Sequence, residues 1–122
     1  VNTLDFDAFV EEFHHDQKLD APSGTAKKIE KILLERLTEK KEALYQNPEG
    51  KIEPEQLQVL SIRSKSIPGI HKVTFQSHRE CVKLSHAAFD RSVFAEGAVR
   101  AAVWLTGKKG VYSMEEFLSD LL

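Results

Sequence analysis

The stretch FDAFVEEFHHDQKLDAPSGTAKKIEKILLERLTEKKEALY, residues 6–45, decides the fold, because it passes from a two-residue period to a helical one through a turn crowded with titratable groups. In residues 6–13, aromatic and branched side chains mix with acids, and Phe9, Glu11 and Phe13 share one face of an extended strand. Pro22 favours an extended residue before it, and Ser23 or Thr25 then caps a helix. That helix is expected over residues 26–45. Its apolar stripe is Ala26, Ile29, Leu33, Leu37 and Leu44, widened by Ile32 and Leu34, with Lys and Glu on the other side.

Working outward, QNPEGK (46–51) carries the punctuation of a surface loop. Three strand-like runs follow at residues 56–63, 71–77 and 81–86. The polar connection 77–80 makes the last two an antiparallel hairpin, with Val73 and Phe75 on one face of its first strand and Val82 and Leu84 on one face of the second. Asp90 or Ser92 opens a second long helix that ends near Leu105, with Gly107 as its stop. Gly97 inside that helix costs about 1 kcal/mol relative to Ala and predicts close approach by another backbone. Ser113 and Glu116 have capping-box spacing ahead of Phe117, Leu118, Leu121 and Leu122. The order predicts one α+β domain: a small, mostly four-stranded mixed sheet with two main helices on one face. The second face, with Leu60, Ile62 and Cys81 among polar residues, is then open to self-association.

Composition narrows the class. With 122 residues, 41% hydrophobic, 30% charged and a net charge of −2, there is no field of one sign to attract nucleic acid or a membrane surface. A single cysteine excludes an intrachain disulfide and points to a cytoplasmic protein, in which Cys81 is read as a small packed residue. No apolar run approaches the ~18 residues of a membrane span, and residues 1–5 have no basic start. The chain begins on Val, which points to an excised or processed piece.

Chemistry concentrates at residues 14–26. Adjacent residues of an extended chain face opposite ways, so His14 and His15 cannot both lie under one helix. Histidine titrates near neutrality, and Lys18 offers a second proton donor. Ser23, Gly24 and Thr25 stand at a helix N-terminus, whose free amides and dipole favour a carboxylate or phosphate and where Gly24 permits close approach. Proton donors beside an anion cradle fit an anionic small molecule that is protonated during reaction. A Ser-Gly-Thr cap on an exposed strand end is the plainer alternative. The five histidines lack the spacing of a metal site, and His71 and His86 read as ends of strands.

The same residues carry a resemblance. EEFHHDQKLDAPSGTA (11–26) resembles the E-x-H-H-x-x-K-x-D-A-P-S-G-T-A signature of the dihydrodipicolinate reductase family. IRSKSIPGIHKVTF (62–75), LSHAAFDRSVFAEGAVRAAVWL (84–105) and GKKGVYSMEEFL (107–118) resemble further segments of its C-terminal, substrate-binding and tetramerisation half. The resemblance implies an acid/base role for His14 and proton donation by Lys18. It implies substrate contacts for His15, Ser23, Gly24 and Thr25, a substrate carboxylate near Arg91, and a nicotinamide near Phe94. It also implies a dicarboxylate substrate, a homotetramer formed through the sheet face, and NADPH or NADH as hydride source in the full-length enzyme of lysine and diaminopimelate biosynthesis.

Two local departures stand out: Lys65 occupies a position where the family commonly has Gly, and the turn at 77–80 lacks the usual Gly-Glu. The six glycines form no G-x-G-x-x-G run, and no family helix precedes the first strand ahead of Leu4. No nicotinamide is therefore expected on this chain alone, nor any metal. The rival reading is a non-catalytic dicarboxylate-binding or assembly module.

Overall fold

A computed structural model describes residues 5–122; the expectation that no helix precedes the first strand falls on residues 1–4, outside the described ones. The elements run β1 (Asp7–His14), α1 (Gly24–Arg36), β2 (Glu42–Leu44), β3 (Gln56–Arg63), β4 (Gly69–Gln76), β5 (Cys81–Ala88), α2 (Ser92–Leu105) and α3 (Met114–Leu121). This is an α+β architecture. The chain divides into two compact units, Val1–Phe89 and Asp90–Leu122.

The first unit holds a five-stranded mixed sheet in the order β2-β3-β1-β4-β5. β1 runs parallel to β3 and antiparallel to β4, with Val10 opposite both Val59 and Val73. The expected antiparallel hairpin forms, in a register that sets Val73 opposite Leu84 and Phe75 opposite Val82. Period two separates the strand faces: Ala8, Val10, Glu12, Leu57, Val59 and Val73 are buried, and α1 packs Ala26 and Leu33 among the apolar ones. Complete burial of Leu57, Val10 and Val59 stabilises the unit by about 1.5–3 kcal/mol each. Phe9, Phe13, Leu60 and the exposed Ile62 lie on the opposite face, where Lys72 sits 4.9 Å over the Phe13 ring.

Four expectations are corrected. The sheet has five strands instead of four, because the helix ends at Arg36. Leu37 takes an extended ψ of 108°, and residues 42–44 pair parallel with Gln56, Leu57 and Gln58. The Lys40 ammonium is buried on the carbonyls of Pro54 and Gln56, which a continuing helix could not place there. Cys81 is exposed instead of packed. Nothing lies within 4 Å of a Cβ built on Gly97, so no backbone crosses α2 there among the described residues.

The two family departures have local explanations. Lys65 adopts φ +42°, the left-handed conformation in which Gly is the least strained residue. The 77–80 turn is closed by Ser77, whose amide donates to the Glu80 carbonyl at 2.9 Å and whose hydroxyl accepts from the Arg79 and Glu80 amides.

In the second unit, α2 buries no residue, and Val93, Phe94, Val99 and Val103 are exposed. α3 starts on the expected capping box of Ser113 and Glu116 and buries Phe117, whose ring stands 5.4 Å from that of Trp104.

Candidate active site

The C-terminal end of β1 delivers two acids and two imidazoles in sequence, and pleating turns Glu12 and His14 toward the α1 side of the sheet. Glu12 is completely buried, an expensive place for a carboxylate unless donors surround it. Three do. Arg63 Nη2, from the end of β3, donates to Oε1 at 2.7 Å; the Ser23 amide donates to the same oxygen at 3.2 Å; and His14 Nδ1 meets Oε2. Burial alone would raise the Glu12 pKa, but the hydrogen bonds from Arg63 and His14 and the Arg63 charge outweigh it and hold the pKa at about 2. Glu12 is therefore an anion at neutral pH. An ionised carboxylate can only accept, so the proton of this contact belongs to Nδ1 of His14.

Ser23 links that cluster to the helix. As N-cap of α1, its hydroxyl accepts from the Ala26 amide at 3.2 Å and shares a 2.9 Å hydrogen bond with His71 Nε2. Gly24 and Thr25 are the first two residues of α1, and their amides precede the first intrahelical bond, from the Lys27 amide to the Ser23 carbonyl at 2.9 Å. His71, on β4 opposite Glu12, sets its ring 5.2 Å from that of His14 in an edge-on arrangement. Burial first, and then the neighbouring His14, push its pKa below the usual histidine value.

The loop after β1 is fixed by backbone bonds: Ser64 donates to the His14 carbonyl at 3.0 Å and Asp16 to the Lys65 carbonyl at 3.1 Å. Arg63 Nη2 also reaches the Asp20 carbonyl at 2.9 Å. Lys18 pairs with Asp20 at 2.8 Å and lies near enough to act electrostatically on His71.

The first unit thus assembles His14, Lys18, Ser23, Gly24 and Thr25 around the β1–α1 connection, with half-buried His15 beside them. Arg91 and Phe94 belong to the second unit, Arg91 at the N-cap position of α2 and Phe94 half exposed in its first turn. Glu12, Arg63 and His71 were missed as site residues. Period two alone places Glu12 on the inward side with Ala8 and Val10, which was a usable signal. Arg63 and His71 join through strand pairing, which no local pattern encodes.

Glu12, His14 and His71 offer ligand atoms within 4.8 Å of one another. Glu12 already has its charge met by Arg63 and its oxygens bonded to the Ser23 amide and His14, so the trio is a hydrogen-bonded network and not a metal centre. The β1–α1 turn contains no glycine before Gly24, and no glycine-rich phosphate loop occurs among the described residues.

A family model described as dihydrodipicolinate reductase, C-terminus, matches residues 1–118. The 4-hydroxy-tetrahydrodipicolinate reductase of Methanoregula boonei is 49% identical over 116 residues, covering 93% of this chain and 45% of that protein. The enzyme of the same name from Aquifex aeolicus is 40% identical over 114 residues, covering 93% and 43%. The chain therefore spans about half the length of the curated relatives it matches. Among solved structures, the dipicolinate-bound dihydrodipicolinate reductase of Paenisporosarcina sp. TG-14 superposes with a TM-score of 0.58 at 26% identity, covering 76% of this chain and 37% of that one. By the family model over nearly its whole length, this chain belongs to the dihydrodipicolinate reductase family, as a C-terminal part.

Proposed function

We propose that this chain is the substrate-binding and oligomerisation part of a reductase that converts 4-hydroxy-tetrahydrodipicolinate, or dihydrodipicolinate, to tetrahydrodipicolinate in lysine and diaminopimelate biosynthesis. The observation that carries the reading is the joining of His14 to the α1 N-cap through Glu12 and the Ser23 amide, which ties an imidazole to the helix end that begins with Gly24 and Thr25. Family membership and the dipicolinate bound to the structural relative support it.

In this reading one carboxylate of the substrate lies on the Gly24 and Thr25 amides with Ser23 and His15 beside them; Arg91 is the residue to which the family resemblance gives contact with a substrate carboxylate. A reduced nicotinamide, NADPH or NADH, held by a dinucleotide-binding part of the full-length enzyme and approached by Phe94, supplies hydride to the ring double bond. Lys18 gives the proton that completes the addition, and His14 takes up or returns protons at its free nitrogen. The open sheet face, with Phe9, Phe13, Leu60 and Ile62, pairs with its copies in a homotetramer. Among the described residues no helix is long and apolar enough to cross a membrane, which accords with the cytoplasmic site proposed for the enzyme.

In the full-length enzyme Lys18→Ala should lower kcat on the order of 10²- to 10⁴-fold, the usual worth of a positioned general acid, with KM changed far less. Unchanged turnover, together with retained binding of pyridine-2,6-dicarboxylate, would replace this reading with the non-catalytic binding module.

A further inference from the structure

The catalytic roles above fall on His14 and Lys18 and leave Glu12 without one, although it is the most completely buried charged side chain at the site. Its surroundings are more elaborate than a core ion pair needs. Oε1 takes Arg63 Nη2 at 2.7 Å and the Ser23 amide at 3.2 Å, and Oε2 takes His14 Nδ1. Two rigid elements, the end of β3 and the N-cap of α1, therefore fix the carboxylate, and the carboxylate in turn fixes one imidazole.

Resting on the function proposed above, we propose that Glu12 is the positioning residue of the site: it holds the proton on Nδ1 of His14, so that Nε2 is the nitrogen that exchanges protons with substrate. A neutral imidazole protonated at Nδ1 has its lone pair at Nε2. When Nε2 takes up a proton, the ring becomes a cation bonded to the Glu12 anion; when it gives the proton back, Glu12 stays ionised throughout. The other charged or titratable groups at the site are Arg63 from β3, His71 from β4 with His86 opposite it on β5, and, from the following loop, Lys18 with Asp20 paired to it at 2.8 Å. Asp20 is exposed and engaged with Lys18, so Glu12 is the buried negative charge that meets His14. An acid of this kind acts on the base and not on the substrate, by the logic of an orienting carboxylate in a nucleophile–histidine–acid arrangement.

The test has two arms. Nitrogen-detected NMR of the 122-residue protein should show His14 as the Nδ1–H tautomer, and Glu12→Gln should shift it to a mixture containing Nε2–H. In the full-length enzyme Glu12→Gln should lower kcat by at least ~10-fold with KM changed less than ~3-fold, and Glu12→Asp should recover part of the loss. Should Glu12→Gln fail to fold because Arg63 is stranded, the double variant Glu12→Gln, Arg63→Met removes both charges and is read in the same way. The Nε2–H tautomer in the unaltered protein, or a variant with unchanged kcat, would overturn the proposal. So would a loss of kcat with the His14 tautomer intact. Because the tautomer is read without substrate, it stands or falls separately from the Lys18→Ala result that tests the function itself.

Discussion

The two ends of β1 each bury a charge, and they do so with different partners. Where the strand begins, the Lys40 ammonium meets Asp7 Oδ1 at 2.5 Å and the carbonyls of Pro54 and Gln56 at 2.8 and 2.9 Å, one acceptor for each of its three protons. Where it ends, Glu12 is met by Arg63, the Ser23 amide and His14. Both charges are satisfied. The difference lies in the partners: two carbonyls and a carboxylate at one end, an arginine, a backbone amide and an imidazole at the other. Burial of a charge marks the packing at both ends, and only the second end offers a side chain suited to proton exchange.

Replacing each charge in turn should separate the two ends most strongly. Glu12→Ala leaves Arg63 largely buried and unpaired and should cost about 3–5 kcal/mol in urea unfolding, with turnover of the full-length enzyme lost as well. Lys40→Met strands two carbonyls but leaves Asp7 in solvent, and should cost about 1–3 kcal/mol with turnover unchanged. Equal losses of turnover in both would erase the distinction drawn between them.

Acid should act at one end first. The Glu12 pKa is lowered from 4.5 to about 2 in the fold, so its contribution is complete above pH 4.5 and is lost as pH falls toward 2. The shift corresponds to about 3 kcal/mol. His71, whose pKa also falls on folding, adds a loss that begins as pH drops through 6.5. Asp20, Asp90 and Glu116 are shifted as well but are exposed, and solvent screens them. Stability measured from pH 7 to 2 should therefore decline in two stages in the unaltered protein, and His71→Asn should remove only the first. A single late decline in both proteins would mean that His71 is not held neutral by the fold.

Local pattern was enough for β1, the start of α1, the antiparallel hairpin and the capping box of α3, because each is written in neighbouring residues. It misled at residues 38–45. There TEKKEALY has the composition of a helix, and only parallel pairing with β3 and the burial of Lys40 turn it into a strand. The site was half legible. His14, Lys18 and the Ser-Gly-Thr cap lie in one segment, whereas Arg63 and His71 come 49 and 57 residues after His14 and join it through sheet register. Gly97 misled in the opposite sense, since a helix interior glycine there meets no neighbour within 4 Å.

The central claim is that the C-terminal end of β1 and the N-cap of α1 form one anion-binding, proton-exchanging site. Titrating pyridine-2,6-dicarboxylate into the protein while following amide and imidazole resonances tests it most directly. The account predicts that the Gly24 and Thr25 amides move most, with the His14 and His15 rings next and the Lys40 region silent. Saturable binding that leaves Gly24, Thr25 and His14 unmoved would contradict it.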